Sequence, residues 1–322
     1  MDLLLFVYSC FSRLGSGLKN FLYNKKILRP AEASLPVIST GNISLGGTGK
    51  TPLAMNLLKF FLSLEIKPAL ISRGYKGTWE NSGGILSDGE KIKGTWEESG
   101  DEPYMIARNF PKAGVFIGKN RLASCRTAQN LGFKVAVLDD GFQHRKLHRN
   151  LDILLYDPSE RTDLRECSSA KKRAHIFLLE EKHSQEISRL PKGSVGFVYT
   201  QTAIGFFDLK DKPVKNLPNK TIAFCGIAHP GRFKSTLNQG NVFPAAFLFF
   251  PDHFSYPASS LKKILAKCRK NEAGAALTTE KDAVKLRGRL TDWDIPVYYL
   301  KIELKIDEGF YQKVTGLFPG RK

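Results

Sequence analysis

The stretch Val37-Ile38-Ser39-Thr40-Gly41-Asn42-Ile43-Ser44-Leu45-Gly46-Gly47-Thr48-Gly49-Lys50-Thr51-Pro52 decides how the rest of the chain is read. Val37 to Thr40 has the short apolar, β-branched run of a buried strand, and Pro52 to Leu64 has apolar residues at helical spacing. A glycine-rich loop between a strand and a helix N-terminus is a phosphate cradle. Backbone N–H groups along Ser44, Leu45, Gly46, Gly47, Thr48 and Gly49 surround the phosphates, Lys50 reaches the β and γ oxygens, and Thr51 ligates Mg2+. The strict pattern has glycine where this chain has Ser44, so the loop is a variant form. Pro52 fits because first-turn N–H groups have no intrahelical partner.

Outward from the loop, strands are expected at Ala69 to Ile71, Val115 to Ile117 and Val135 to Leu138, with helices at Glu102 to Phe110 and Arg121 to Leu131. This rhythm implies parallel βαβ units. Ser87-Asp88-Gly89 between Ile85-Leu86 and Lys91-Ile92 is a hairpin signal. Further strands are expected at Ile153 to Tyr156, Ile176 to Leu179 and Val195 to Tyr199, followed by a linker from Asp208 to Lys220. A second alternation follows: strands at Thr221 to Cys225, Ala246 to Phe250, Ala275 to Leu277 and Val297 to Leu300, and helices at Arg232 to Leu237 and Ser259 to Lys270. The expected fold is α/β. Residues 1–207 form a parallel-sheet nucleotide-binding domain with an N-terminal amphipathic helix, and residues 208–322 form a smaller α/β domain closing a shared cleft.

The 322 residues are 42% hydrophobic and 25% charged, which excludes a disordered or collagen-like chain. A net charge of +18 points to polyanionic partners: nucleotides, nucleic acid or an anionic membrane surface. The five cysteines are widely spaced, with no CxxC, so neither a zinc knuckle nor a disulfide framework is indicated, and a reducing compartment fits best. No apolar run approaches the ~18 residues of a spanning helix. Asp2 and a short apolar core argue against a signal peptide. Leu3, Leu4, Val7, Phe11, Leu14, Leu18, Phe21 and Leu22 nevertheless fall on one helical face, with Arg13, Lys19, Lys25 and Lys26 nearby. Taken alone, the segment suits either a first core helix or a helix lying in a membrane interface.

A nucleotide loop needs a metal-holding carboxylate at the end of a neighbouring strand, and Asp139, after Val135 to Leu138, is the candidate. At this point the chain resembles one family, the tetraacyldisaccharide 4'-kinases. The matching pieces are Gly41-Asn42 with the loop through Pro52, Ser72-Arg73-Gly74-Tyr75-Lys76, Gly100-Asp101-Glu102-Pro103, Leu138 to Arg145, Phe250-Pro251-Asp252-His253 and Thr279 to Lys285. The resemblance implies a two-domain P-loop kinase that uses ATP and Mg2+ to phosphorylate a lipid disaccharide 1-phosphate. It also implies a peripheral protein whose N-terminal helix rests on the anionic cytoplasmic face of the inner membrane. A monomer that binds no nucleic acid is expected. One departure stands out: Asp163-Leu164-Arg165-Glu166-Cys167 keeps the family's Leu-Arg-Glu but lacks its flanking prolines and upstream glycine.

A kinase must orient a hydroxyl in line with the γ-phosphate, accept its proton and neutralise charge on the transferred oxygens. Lys50 and the loop amides serve the phosphate charge, and Thr51 and Asp139 serve the metal. Asp101, fixed at a helix start, is the expected base, against a simpler role as helix N-cap. Asp140 and His253 are an alternative carboxylate-histidine pair across the cleft. Asn42, Tyr75, Glu102, Gln143, His144 and Arg165 are candidate substrate contacts, with Arg165 suited to a sugar phosphate. Two other readings remain open: a soluble P-loop kinase for a small metabolite, and a basic P-loop ATPase that binds nucleic acid.

Overall fold

The strand expected at Val37 to Thr40 is β1 (Val37–Gly41), all five residues of which are buried. It pairs in parallel with β5 (Val135–Leu138) on one side and β6 (Leu151–Leu155) on the other. The computed structural model describes residues 17, 20–44, 49–159, 166, 168–290 and 293–318. Beyond β5 lie β2 (Pro68–Ser72), β4 (Gly114–Ile117) and the antiparallel β3 (Gly84–Asp88). Beyond β6 lie β7 (Ile176–Glu180) and β8 (Val195–Asp208), with the two-residue β9 (Pro213–Val214) paired to β8. The far end holds β10 (Thr221–Cys225), β11 (Ala246–Phe249), β12 (Ala275–Thr279) and β13 (Val297–Ile306). All belong to one sheet in the order β11-β10-β12-β13-β8-β7-β6-β1-β5-β2-β4-β3.

The register of β8 sets the shape of the site. Its first part pairs in parallel with β7, ending at Glu180 opposite Tyr199, while Tyr199 to Asp208 pair antiparallel with β13. β12 runs alongside β13 and ends at Thr279, aligned with Leu300, which sits opposite Phe206. The carboxyl ends of the two parallel groups therefore point toward each other, offset along β8 by roughly 20 Å at ~3.3 Å per residue. Crevices at the carboxyl ends of parallel strands are where α/β folds bind ligands.

α1 (Lys50–Ser63) buries Leu53, Leu57 and Phe61 at four-residue spacing, together with Ala54 and Leu58, against the sheet. Its Asn56 donates to the Leu304 carbonyl at 3.0 Å and accepts from the Tyr311 hydroxyl at 2.9 Å, tying α1 to the late strand β13. α2 (Asp101–Asn109) and α3 (Arg121–Asn130) fill the expected crossovers. α4 (Pro230–Gln239), α5 (Ala258–Lys270), α6 (Glu280–Leu286) and α7 (Glu308–Thr315) complete the helices used here.

Two expectations are corrected. The segment after Tyr199 continues as β8 through Asp208, because Tyr199 to Asp208 have a full-length partner in β13. The stretch expected as a linker from Asp208 also contains β9, whose Val214 pairs with Phe206. The apolar stripe from Leu3 to Leu18 lies outside the described residues. Phe21 is 52% exposed and Ile27 66% exposed. Among the described residues no helix is long and apolar enough to cross a membrane.

At the end of β1 a Cβ on Gly41 would stand 2.5 Å from the Phe142 Cβ, and the Gly141 N–H donates to the Thr40 carbonyl at 2.8 Å. Glycine at 41 thus lets the turn after β5 close onto β1. Gly41→Ala should push Phe142 and this turn outward, lowering the unfolding free energy by ~1–3 kcal/mol and weakening nucleotide binding. Urea denaturation and an ATP titration check it; unchanged values for both would show that the close approach has no such role.

Candidate active site

The loop after β1 is held from below by Asn42, which is fully buried. Its side chain donates to the Ser44 hydroxyl at 3.1 Å, its Oδ1 accepts from Lys50 Nζ at 3.3 Å, and its carbonyl accepts from Gln143 Nε2 at 2.8 Å. Gly49 (φ 87°) occupies the left-handed region at the N-cap of α1, a conformation glycine adopts without strain. Lys50 also pairs with Asp140 at 3.0 Å. Leu45 to Thr48 lie outside the described residues.

Asp139 ends β5 with its Oδ1 buried and without a hydrogen-bond partner among the described residues. Burial raises its pKa, the Glu102 and Asp140 carboxylates add to the rise, and Lys50 and Arg121 only partly oppose it, leaving Asp139 at about 7. An orphaned carboxylate oxygen near Glu102, which itself accepts from Thr51, is a donor set that suits a divalent cation. Arg121, itself buried, donates to the carbonyls of Ile71 at 2.8 Å and Asp139 at 3.3 Å, fixing the ends of β2 and β5 together.

Asp101 is the first residue of α2, and Gly100 (φ 91°) is the N-cap, so the simpler N-cap role does not apply to Asp101. Its carboxylate accepts from the Glu102 N–H at 2.9 Å and lies 2.9 and 3.0 Å from His253 Nδ1. Lys285 Nζ, almost completely buried, lies 3.4 Å away and also pairs with Asp282 at 2.8 Å. Burial pushes Asp101 up, but the His253 bond and the charges of Lys281, His253 and Lys285 outweigh it, holding the carboxyl down at about 2. Its neighbour Glu102 accepts from Thr51 Oγ1 at 2.7 Å and from Lys281 Nζ at 2.8 Å.

His253, in the loop between β11 and α5, has φ 60° and sets its ring 5.5 Å from Tyr75, edge-on. On its other nitrogen, Nε2, it meets Lys281 Nζ at 3.3 Å, and the same ammonium donates to Asp252 at 3.2 Å. Burial opposes the charge on Lys281, but Glu102, Asp101 and Asp252 outweigh it and raise its pKa. Ligand atoms of Asp101, Glu102 and His253 lie within 4.8 Å of one another, yet the Lys281 ammonium already sits among them, paired with Glu102 and 3.3 Å from His253 Nε2.

The structure thus brings Asn42, Ser44, Lys50, Thr51, Asp101, Glu102, Asp139, Asp140, Gln143 and His253 into one cleft. It corrects the pairing of Asp140 with His253: Asp140 meets Lys50, and His253 meets Asp101. Tyr75, 54% exposed, stands at the mouth. His144 lies in the turn after β5, where its carbonyl accepts from Arg149. Arg165 lies outside the described residues, while the adjacent Glu166 is buried and pairs with Arg173 at 2.6 Å. Sequence reasoning gave no role to Lys281 and Lys285. Their signal was Thr279-Glu280-Lys281-Asp282, in which Thr279 caps α6 by accepting from the Asp282 N–H.

The family described as tetraacyldisaccharide-1-P 4'-kinase matches residues 1–318 of this chain. The chain belongs to this family. It is 35% identical to the tetraacyldisaccharide 4'-kinase of Desulfotalea psychrophila over 91% of this chain and 90% of that one. It is 36% identical to that of Chlorobium chlorochromatii over 90% and 86%. A crystal structure of LpxK from Aquifex aeolicus in complex with ATP superposes with a TM-score of 0.77 at 29% identity, covering 98% of both chains.

Asp139 generates a pH prediction for this kinase-family fold. Its folded pKa of about 7 lies above the unfolded value near 3.9, so its contribution is fully present below pH ~4 and is lost as pH rises through 7. Asp139→Asn, which cannot ionise, should melt higher than the parent at pH 8 in the absence of nucleotide and metal, and the two should converge near pH ~4. Thermal melts across that range check it; parallel curves would place the ionisation elsewhere.

Proposed function

We propose that the chain transfers the γ-phosphate of ATP to the 4'-hydroxyl of a tetraacyldisaccharide 1-phosphate, the lipid A precursor. The observation that carries this reading is the Asp101–His253 pair, placed beside Glu102, which itself is hydrogen-bonded to Thr51 of the phosphate loop. A base for a hydroxyl and a carboxylate tied to the phosphate loop thus occupy adjacent residues of α2.

In the proposed reaction the sugar oxygen bonds to the γ-phosphorus, the bond from that phosphorus to the β–γ bridging oxygen breaks, and ADP leaves. The hydroxyl proton passes to the Asp101–His253 pair. Asp101 alone, held at about 2, accepts protons weakly, so the imidazole would supply the basic nitrogen, Nε2, once the Lys281 ammonium 3.3 Å away turns from it to Glu102 and Asp252, and the carboxylate on Nδ1 would stabilise the resulting imidazolium. Lys50 moves from Asp140 and Asn42 to the phosphate oxygens. Thr51, Asp139 and Glu102 would hold Mg2+, which neutralises charge on the phosphates when bound. Asn42 and Gln143 keep the loop in place. Tyr75 and His144 face the sugar, and Arg165 takes the 1-phosphate. Residues 1–207 and 208–322 act as two lobes that meet at this cleft in a monomer.

The N-terminal segment is proposed to lie on the cytoplasmic face of the inner membrane, as a peripheral contact. Supporting this, Phe21, Ile27 and Leu28 are exposed, while Arg145 of the turn after β5 donates to Asn20 and covers the Tyr23 ring at 4.9 Å. This contact with the turn after β5 supports the reading that the segment runs on the same side of the sheet as the phosphate loop. The lipid acceptor also separates this reading from a soluble small-metabolite kinase.

Two experiments test the proposal. Lys50→Ala and Thr51→Ala should each lower phosphoryl transfer to the disaccharide 1-phosphate by roughly a hundredfold or more with melting unchanged. Asp101→Ala and His253→Ala should each lower kcat strongly with little change in ATP affinity, and the double variant should be no worse than the poorer single one, because the pair acts as a unit. Additive losses would break the dyad assignment. Separately, replacing Leu4, Val7 and Phe11 by Ser should shift the protein from anionic vesicles to the soluble fraction while ATP binding survives. Loss of nucleotide binding instead would place that stripe in the core.

A further inference from the structure

From Gly240 to Pro251 the chain carries no charged residue, and this run includes β11, which pairs only with β10 among the described residues and so forms an edge of the sheet. Edge strands are normally blunted by charge, proline or a cover, because their free backbone groups and apolar side chains recruit other chains. Here Phe243 is 70% exposed and Phe249 54% exposed. Phe247 and Phe249, two residues apart on one face, stack at 5.8 Å with an interplanar angle of 21°. Lys234 of α4, exposed, sets its ammonium 5.5 Å from the Phe247 ring centroid. The exposed Phe249 is thus backed by Phe247, which packs inward on the core under α4, while Phe243 lies exposed just before the same strand.

We infer that the β11 edge, with Phe243, Phe247, Phe249 and Lys234, is a second membrane-contact surface that seats the mouth of the cleft on an anionic bilayer. The inference rests on the proposed lipid acceptor and goes beyond the N-terminal segment. Three observations select a bilayer as the occupant. β11 leads within four residues to His253, so the patch adjoins the site where a lipid headgroup must arrive. On the opposite side of the mouth, exposed Lys76 reaches the Asp252 carbonyl at 3.4 Å beside the half-exposed Tyr75, giving both rims an aromatic ring and a cation. Rings with an apolar body next to lysines that keep their charge in water are the composition of a headgroup boundary. Finally, a net charge of +18 draws the chain to anionic lipid and repels a second copy of itself. An acceptor lipid then presents its sugar to Asp101 and His253 without leaving the bilayer.

The test uses the full chain and vesicles of phosphatidylcholine with or without phosphatidylglycerol. In Phe249→Trp, emission should shift to the blue on adding phosphatidylglycerol vesicles and should be quenched by brominated acyl chains, beyond any change in the parent's own tryptophans. The Phe243→Ser/Phe249→Ser variant should lose roughly tenfold or more in vesicle affinity, with ATP affinity and melting temperature kept. It should phosphorylate acceptor in detergent micelles at the parental rate and acceptor in vesicles more slowly. Lys234→Glu should weaken binding only where phosphatidylglycerol is present, which keeps the test intact if the double variant misfolds. Emission of Phe249→Trp that ignores vesicles, in a chain that still phosphorylates the acceptor, would overturn the inference while leaving the proposed reaction standing. Absence of phosphoryl transfer by the parent in micelles is the separate failure of that reaction. Concentration-dependent self-association that disappears in the double variant would also overturn it, by assigning the edge to a second copy.

Discussion

Asp101 and Glu102 are adjacent carboxylates at the start of one helix, the first buried and the second half-buried, and the rest of the cleft is arranged around keeping them ionised. Two anions cannot be desolvated side by side without cations. Lys281 meets Glu102 and Lys285 meets Asp101, which is also held by a hydrogen bond with His253 Nδ1, all three residues supplied by the last quarter of the chain. The cations are in turn fixed: Lys285 by Asp282, and Asp282 by the Thr279 hydroxyl and the Gly226 N–H at 2.9 Å. Charge neutralisation therefore joins the phosphate-loop side of the sheet to the β10–β12 side, and it does so at the place where the chemistry needs a base next to a phosphate.

This constraint explains why Asp139 differs so sharply from Asp101. Both are buried, but Asp101 has a histidine and lysines facing it, whereas Asp139 looks onto Glu102 and Asp140. One carboxyl is driven far below its ordinary value and the other far above. In the proposed reaction the first would stabilise the positive charge that appears on His253, and the second would be left to a cation. Such divergence between neighbouring titratable groups is what separates proton-handling from metal-holding roles in a single site.

Much of the fold was legible because its signals are local. β5 and β10 begin and end at the residues their apolar runs define, and the phosphate loop was placed by the strand and helix around it. What escaped was non-local. The far half of β8, with Gly205 and the consecutive polar residues Thr200, Gln201 and Thr202, looks like weak strand until β13 covers it across nine register pairs. His253 was matched to Asp140 because both stand in quoted motifs, and only the folded chain reveals that Lys50 already occupies Asp140. Lys281 and Lys285, four residues apart on α6, stood in a quoted motif without a role; the packing of α6 against β13 and α2 turns them into counter-ions.

The sheet itself accounts for why partners so distant in sequence meet. If β8 ended at Tyr199, the strands after it would have no rail on which to reverse, and the carboxyl ends of β10 and β12 would have no fixed relation to those of β1 and β5. Extending β8 to Asp208 lets β13 pair with its far half and run back, so Thr279 and Cys225 end their strands facing Gly41 and Leu138. The bulge between Lys301 and Ile302 falls in the middle of that rail, and Lys301 approaches Glu280 at 3.6 Å there. A bulge adds local twist to paired strands, and this one lies where the β13–β8 pairing joins the two parallel groups. Asp101 and His253 thus meet across a sheet whose two parts are held in register by an antiparallel pairing well behind them.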